Sequence, residues 1–159
     1  MSKQSWFQHQ LRVRFEETDQ MGVVYHANYL TWFEIGRTEF IRELGFSYRS
    51  IEENGLLLPV VEAEAKFRRP ARYDDLICVY TRVTNASSVR IDFTYEVRRV
   101  TEDHLVTSSA SFQKETDLEP KGELLVTGTT RHVWVNPSWK PARIDKEAPQ
   151  LWQLLKQES

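Results

Sequence analysis

Residues 28–45 read NYLTWFEIGRTEFIRELG, and this stretch decides the fold. Leu30, Phe33, Arg37, Ile41 and Leu44 recur at helical spacing, with Tyr29, Phe40 and the small Gly36 beside them. So broad an apolar stripe suits a helix covered on several sides. Gly45 follows the last periodic residue, where a left-handed C′ glycine ends many helices. The spacing predicts a helix from about Ala27 to Leu44, about 27 Å long at 1.5 Å per residue. SYRSIEENG, residues 47–55, predicts a short second helix with Ser47 as N-cap and Gly55 as stop.

Around these helices the period changes to two. LRVRFE, residues 11–16, sets Leu11, Val13 and Phe15 against Arg12, Arg14 and Glu16, the pattern of a half-buried strand. Val61, Ala63, Ala65 and Phe67 alternate with Glu62, Glu64 and Lys66. RRPARYDD, 68–75, breaks that run, because Pro70 cannot continue a ladder and Asp74-Asp75 favours a turn. ICVYTRV (77–83), VRIDFTYEVRRV (89–100) and RHVWV (131–135) alternate again and predict three more strands. Residues 101–122 are polar and weakly periodic, either a strand pair turning at Glu119-Pro120-Lys121-Gly122 or a long excursion. The tail from Asn136 holds Pro137, Pro141 and Pro149 and ends in an amphipathic LWQLLKQ. No helices separate the later strands, so the sheet is expected to be antiparallel. The expected class is α+β, one sheet curled around one apolar helix. A single domain is expected over 1–159, with its core at about 8–135 and a C-terminal tail at 136–159.

Composition excludes several function classes. The 21 basic and 23 acidic residues leave a net charge of −2, so no basic field points to nucleic acid. MSKQSWFQHQ has no signal-peptide h-region, and no apolar run approaches the roughly 18 residues of a membrane span, so a cytoplasmic location is expected. The single cysteine, Cys78, sits in apolar LICVY and reads as a buried small residue of a reducing compartment. Aromatic residues make up 12% of the chain, enough for a core or an oligomer interface. G-x-S-x-G, H-E-x-x-H, paired C-x-x-C, P-loop and G-x-G-x-x-G patterns are all missing, so catalysis is expected without metal or cofactor.

EETDQMGVVYHANY, residues 16–29, holds more chemistry than a helix start needs. The spacing is Asp19-x-x-Gly22-x-x-Tyr25-His26-x-Asn28-Tyr29. A helix start presents unpaired N–H groups and about +0.5 of partial charge. Gly22 permits a tight turn that folds Asp19 back towards that helix end. A carboxylate facing N–H donors is what acyl transfer uses: the donors hold the oxyanion while the carboxylate attacks or activates water. On spacing alone, Asp19 as a turn residue and His26 or Asn28 as a cap fit equally.

ETDQMGVVYHANYLTWFE (17–34) closely resembles the signature of the 4-hydroxybenzoyl-CoA thioesterase family, in its branch of bacterial acyl-CoA thioesterases found beside Tol–Pal genes. RRPARYDDL and TRHVWVN look like that branch's later strands, and the resemblance covers about residues 8–145. It implies the hotdog fold, a long central helix wrapped by a curved five-stranded antiparallel sheet. It also implies an acyl-CoA thioesterase with Asp19 as nucleophile or general base, a polarising N–H at the helix start near His26, and Tyr25 and the His26 side chain as orienting groups. Glu34 is a further candidate for the pocket. The family's pocket lies between subunits, so a homodimer or homotetramer is implied, with 59–63, PVVEA, lining the neighbour's site through Val61 and Glu62. For the CoA phosphates the densest basic cluster is Lys66, Arg68, Arg69 and Arg72. The chain departs from the branch at 101–122, where a short turn is usual. The rival functions are a hotdog hydratase or dehydratase, with His26 as base, and a non-catalytic acyl-CoA-binding module.

Overall fold

A computed structural model describes residues 6–102, 110–112 as backbone, and 119–159. Strand β1 (Phe7–Arg12) leads through a single 3-10 turn, Phe15–Glu17, towards helix α1 (Asn28–Glu43) and the short α2 (Tyr48–Glu53). Strands β2 (Val60–Phe67), β3 (Leu76–Ala86), β4 (Arg90–Arg99), β5 (Ala110–Phe112) and β6 (Glu123–Val133) follow, then α3 (Ile144–Glu147) and α4 (Pro149–Glu158). The sheet order is β2-β6-β4-β3-β1-β5, with every neighbouring pair antiparallel. Five strands form the expected curved sheet, and the three-residue β5 adds an edge beside β1. The remainder of the 101–122 stretch, 103–109 and 113–118, lies outside the described residues.

Helix α1 falls within one residue of its expected bounds at each end. Its C-terminus closes as the glycine predicts: Gly45 has φ +96°, Gly45 N–H donates to Arg42 C=O at 2.9 Å, and Phe46 N–H donates to Ile41 C=O at 3.2 Å. Ser47 caps α2 by accepting the Ser50 N–H at 3.0 Å. The buried face of α1 carries Tyr29, Trp32, Phe33, Gly36, Phe40 and Ile41. Leu30, expected in the stripe, is instead 45% exposed, because the sheet covers the face centred on Trp32 and Gly36.

Packing between helix and sheet is close. A Cβ on Gly36 would overlap Thr81 Oγ1 and lie 3.0 Å from Val79 Cγ1, so only glycine lets α1 approach β3 here. Gly128 of β6 leaves room in the same way for the Phe33 ring. That ring stacks on Tyr95 at 4.4 Å, and Phe40 meets Phe7 and Phe93 edge-on at about 6 Å. Ile144, Leu151 and Leu155 of the tail join this core, so α3 and α4 close one end of it.

The strand read at 11–16 is displaced. β1 begins at Phe7, whose ring is fully buried, and pairs with β3 from Phe7↔Thr81 to Arg12↔Leu76. Val13 stays in the core, but Phe15 turns outward in the 3-10 turn. The alternating pattern continues past the point where β3 runs out of partners, and pairing decides where the strand ends. On the sheet's other face, Leu76, Cys78 and Tyr80 gather with Val100 and Trp6. Burial pushes the Cys78 thiol up to about 12, so it is an unreactive protonated side chain.

Candidate active site

The chain between the 3-10 turn and α1 forms a small fastened loop. Thr18 bridges Val24, Asp19 N–H donates to Val23 C=O at 2.8 Å, and Gly22 N–H donates to Asp19 C=O at 3.0 Å. Gly22 has φ +80°, the left-handed conformation expected for it. Val24 N–H donates to Ala71 C=O at 2.9 Å, tying this loop to the one after β2.

Glu17 locks the loop to the helix. Its carboxylate accepts the Trp32 indole N–H at 2.7 Å and the Arg14 backbone N–H at 2.9 Å. Its carbonyl accepts the Tyr25 N–H at 2.9 Å and the Asn28 side-chain amide at 2.8 Å. A carboxylate only 6% exposed is costly unless every lone pair finds a donor, and here backbone and helix supply them. Sequence patterning passed over Glu17, since a glutamate in an EET run reads as solvated. The one visible signal was its distance of two residues from Asp19.

Asp19 is half-buried, and its Oδ1 accepts the Met21 N–H at 2.9 Å, leaving the other oxygen without a partner among the described residues. It lines a cleft of about 240 Å³ together with His26, Tyr29, Phe67 and the Arg68–Pro70 segment. His26 precedes the first turn of α1. The Asn28, Tyr29 and Leu30 N–H groups donate to Tyr25, His26 and Ala27 carbonyls, whereas those of His26 and Ala27 have no acceptor among the described residues. Asp19 and His26 therefore line one opening beside the start of α1, whose field is positive, and the two unclaimed N–H groups belong to His26 and the adjoining Ala27.

The other walls are aromatic. Phe67, half exposed, meets His26 at 6.0 Å and Tyr29 at 5.6 Å between centroids. Tyr29 accepts the Ala71 N–H at 3.1 Å, and burial raises its pKa, so the phenol stays neutral. Tyr29 closes the quoted motif but carries no assigned role there, and Phe67 reads from sequence only as one face of an alternating strand.

Other predicted residues fall elsewhere. Tyr25 is exposed and packs on the His26 ring at 4.6 Å without lining the cleft. Gly22 shapes the loop but is not part of the wall. Val61, Glu62 and Lys66 lie on the exposed edge strand β2 and do not line the cleft, with Glu62 paired to Arg131 at 2.7 Å. Glu34 is exposed. Arg68 and Arg69 do line the cleft, but Arg69 is held by Glu123 at 2.8 Å. Among the described residues no three of His, Cys, Asp and Glu gather as a metal-ligand set. No helix among them is long and apolar enough to cross a membrane.

Residues 13–150 match the model of the thioesterase-like superfamily. The chain belongs to that superfamily. Among thioesterase-like relatives, a Bacillus subtilis protein provisionally named as an acyl-CoA thioesterase, YneP, is 34% identical over 141 residues, 88% of each chain. The Haemophilus influenzae acyl-CoA thioesterase YbgC is 40% identical over 96 residues, 60% of this chain and 71% of the relative. A crystal structure of a DHNA-CoA thioesterase from Staphylococcus aureus superposes with a TM-score of 0.79 at 30% identity, covering 96% of this chain and 89% of that one. The hotdog architecture is thus shared, and as a thioesterase-like protein the chain is a hydrolase acting on thioesters.

Proposed function

We propose that the protein hydrolyses an acyl-CoA thioester to the free acid and CoA, with Asp19 as the catalytic carboxylate. The observation that carries this is the half-buried Asp19 lining the same cleft as His26, whose N–H, like that of the adjoining Ala27, has no acceptor among the described residues. In the proposed reaction these N–H groups hold the thioester oxygen as it gains charge. Asp19 takes a proton from water, whose oxygen bonds to the acyl carbon, or attacks that carbon itself to give an anhydride that water opens. Either way the C–S bond breaks, the sulfur leaves with the electron pair, and a proton restores the CoA thiol. The relatives' names, an acyl-CoA thioesterase and a DHNA-CoA thioesterase, favour CoA as the carrier.

The proposal includes a homodimer. β2 is an edge strand with Val60, Val61 and Phe67 exposed, and a bulge falls between Val60 and Glu62. An unpaired edge of this kind is a template for pairing with a second copy. Antiparallel pairing of β2 with its twin brings the PVVEA end of one copy towards the Phe67 end of the other, so Val61 and Glu62 complete the neighbour's pocket. Tyr25 and the His26 ring orient water, and Arg68 meets phosphate. We place the chain in the branch found beside Tol–Pal genes, and in the cytoplasm, on the sequence signature and the lone buried Cys78.

Thiol release from a panel of aliphatic and aromatic acyl-CoAs tests the activity. Release is expected for at least one. Binding without release contradicts it in favour of a binding module, and double-bond hydration without release contradicts it in favour of a hydratase.

A further inference from the structure

Beside the cleft, two large aromatic rings stand outside the core. Phe15 and Tyr73 are 76% and 59% exposed, with centroids 5.8 Å apart at 83°. Their segments are bonded to each other: Val13 N–H donates to Asp75 C=O at 2.9 Å, and Asp74 N–H donates to Val13 C=O at 3.0 Å. The turn that presents Tyr73 is rigid. Asp75 accepts the Arg72 N–H at 2.8 Å and Arg99 Nε at 2.9 Å, and Arg99 also donates to Pro70 C=O at 2.7 Å. Asp74, at the tip, is held at φ +69°, uncommon for a residue with a side chain. Apolar ring surface held in water on an ordered turn is ready-made for a flat ligand.

Position and charge narrow that ligand. Pro70 lines the cleft, and Tyr73 is three residues on, no more than about 11 Å along the chain. Phe15, in contact with Tyr73, lies four residues before Asp19 in the chain. The guanidinium groups of Arg68 and Arg72 make no ion pair or hydrogen bond among the described residues. By contrast Arg12, Arg14 and Arg69 are engaged by Glu102, by Glu16 and Glu17, and by Glu123. Stacking surface and unspent cations together, within a few residues of the cleft-lining Pro70, match an adenine nucleotide bearing phosphates.

We propose that Phe15 and Tyr73 form the shelf for the adenine of CoA, with Arg72 and Arg68 meeting its phosphates. This rests on the acyl-CoA reading above. The pantetheine arm, longer than three residues of extended chain, then runs from the shelf over Pro70 to the Asp19 cleft.

The test is calorimetric titration of the full chain with CoA and, in parallel, with pantetheine, which has no nucleotide. Phe15→Ala and Tyr73→Ala are each expected to weaken CoA about tenfold, the scale of losing one base–aromatic stack. Arg72→Ala is expected to weaken CoA most at low salt. Pantetheine should shift about tenfold less than CoA in each variant. CoA affinity within about twofold of wild type in all three overturns the shelf, as does an equal loss for pantetheine. So does dissociation of an oligomer with CoA affinity kept, which makes the patch a subunit contact. CoA affinity lost in the variants of a protein that hydrolyses no thioester upholds the shelf and overturns only the proposed reaction.

Discussion

Glu17 and His132 show how much single buried polar groups carry here. Glu17 gathers Trp32, Arg14, Tyr25 and Asn28 around one residue, so the Asp19 loop cannot shift without stranding a buried donor. Glu17→Ala leaves the indole N–H of Trp32 unpaired and is expected to cost about 1–3 kcal/mol in urea unfolding. It should also cut turnover, while Glu17→Gln, which keeps an acceptor, should restore most of the stability. Equal stability for wild type and Ala would contradict that role. His132 is fully buried, with Nε2 2.8 Å from Thr130 Oγ1, which in turn lies 2.6 Å from Tyr95 OH. Burial first, then the Arg37 charge, lowers its pKa from 6.5 to about 4. The unfolded chain therefore binds a proton below about pH 6.5 that the folded one refuses. Stability is complete above that pH and falls by about 3 kcal/mol as pH drops to about 4. Urea midpoints between pH 7 and 4 should show this loss, and His132→Gln should lack it. Neither residue was legible in the sequence, because a glutamate in a polar run and a histidine in an alternating strand carry no mark of what donates to them.

At the scale of elements, glycine placement matters more than propensity. Gly36→Ala gains about 1 kcal/mol of helix propensity but puts a methyl into Thr81 and Val79. Overpacking of about 1–3 kcal/mol wins, so the variant is expected to melt lower. A higher melting temperature would show that α1 can lift from β3. The α1 helix could be read at nearly its true length because periodicity, Gly45 and the Ser47 cap are local signals. β1 could not, because its end is set by pairing with β3, and residues 11–16 keep alternating past that point. Periodicity marked only the end of β6, and the family resemblance alone matched GELLVTGTTRHVWV to a strand: TGTT offers little hydrophobic pattern, and its Gly128 is there to admit Phe33 from the opposite layer.

For the whole molecule, the α+β layout followed from the order of patterns, and the site followed only in part. Asp19, His26, Arg68 and Arg69 line one cleft; the motif spacing put Asp19 near His26, whereas the two arginines were candidates only through the family resemblance. Phe67 and Tyr29 could not be anticipated, since a cleft wall and a core wall are built from the same residue types. In the proposed homodimer, Val61, Glu62 and Lys66 reach the site only from the neighbouring copy along β2. Val61→Lys on that exposed edge is expected to convert a dimer to monomer in sedimentation and to lower activity in parallel. A wild-type monomer with full activity would remove the second subunit from the site.

The central claim concerns one carboxylate at the mouth of α1, and Asp19→Asn tests it most directly, since the amide keeps the side chain's shape and its acceptor for Met21. Steady-state thiol release from the best acyl-CoA should fall at least about 100-fold in this variant while substrate affinity changes little. A rate within a few-fold of wild type would contradict the account.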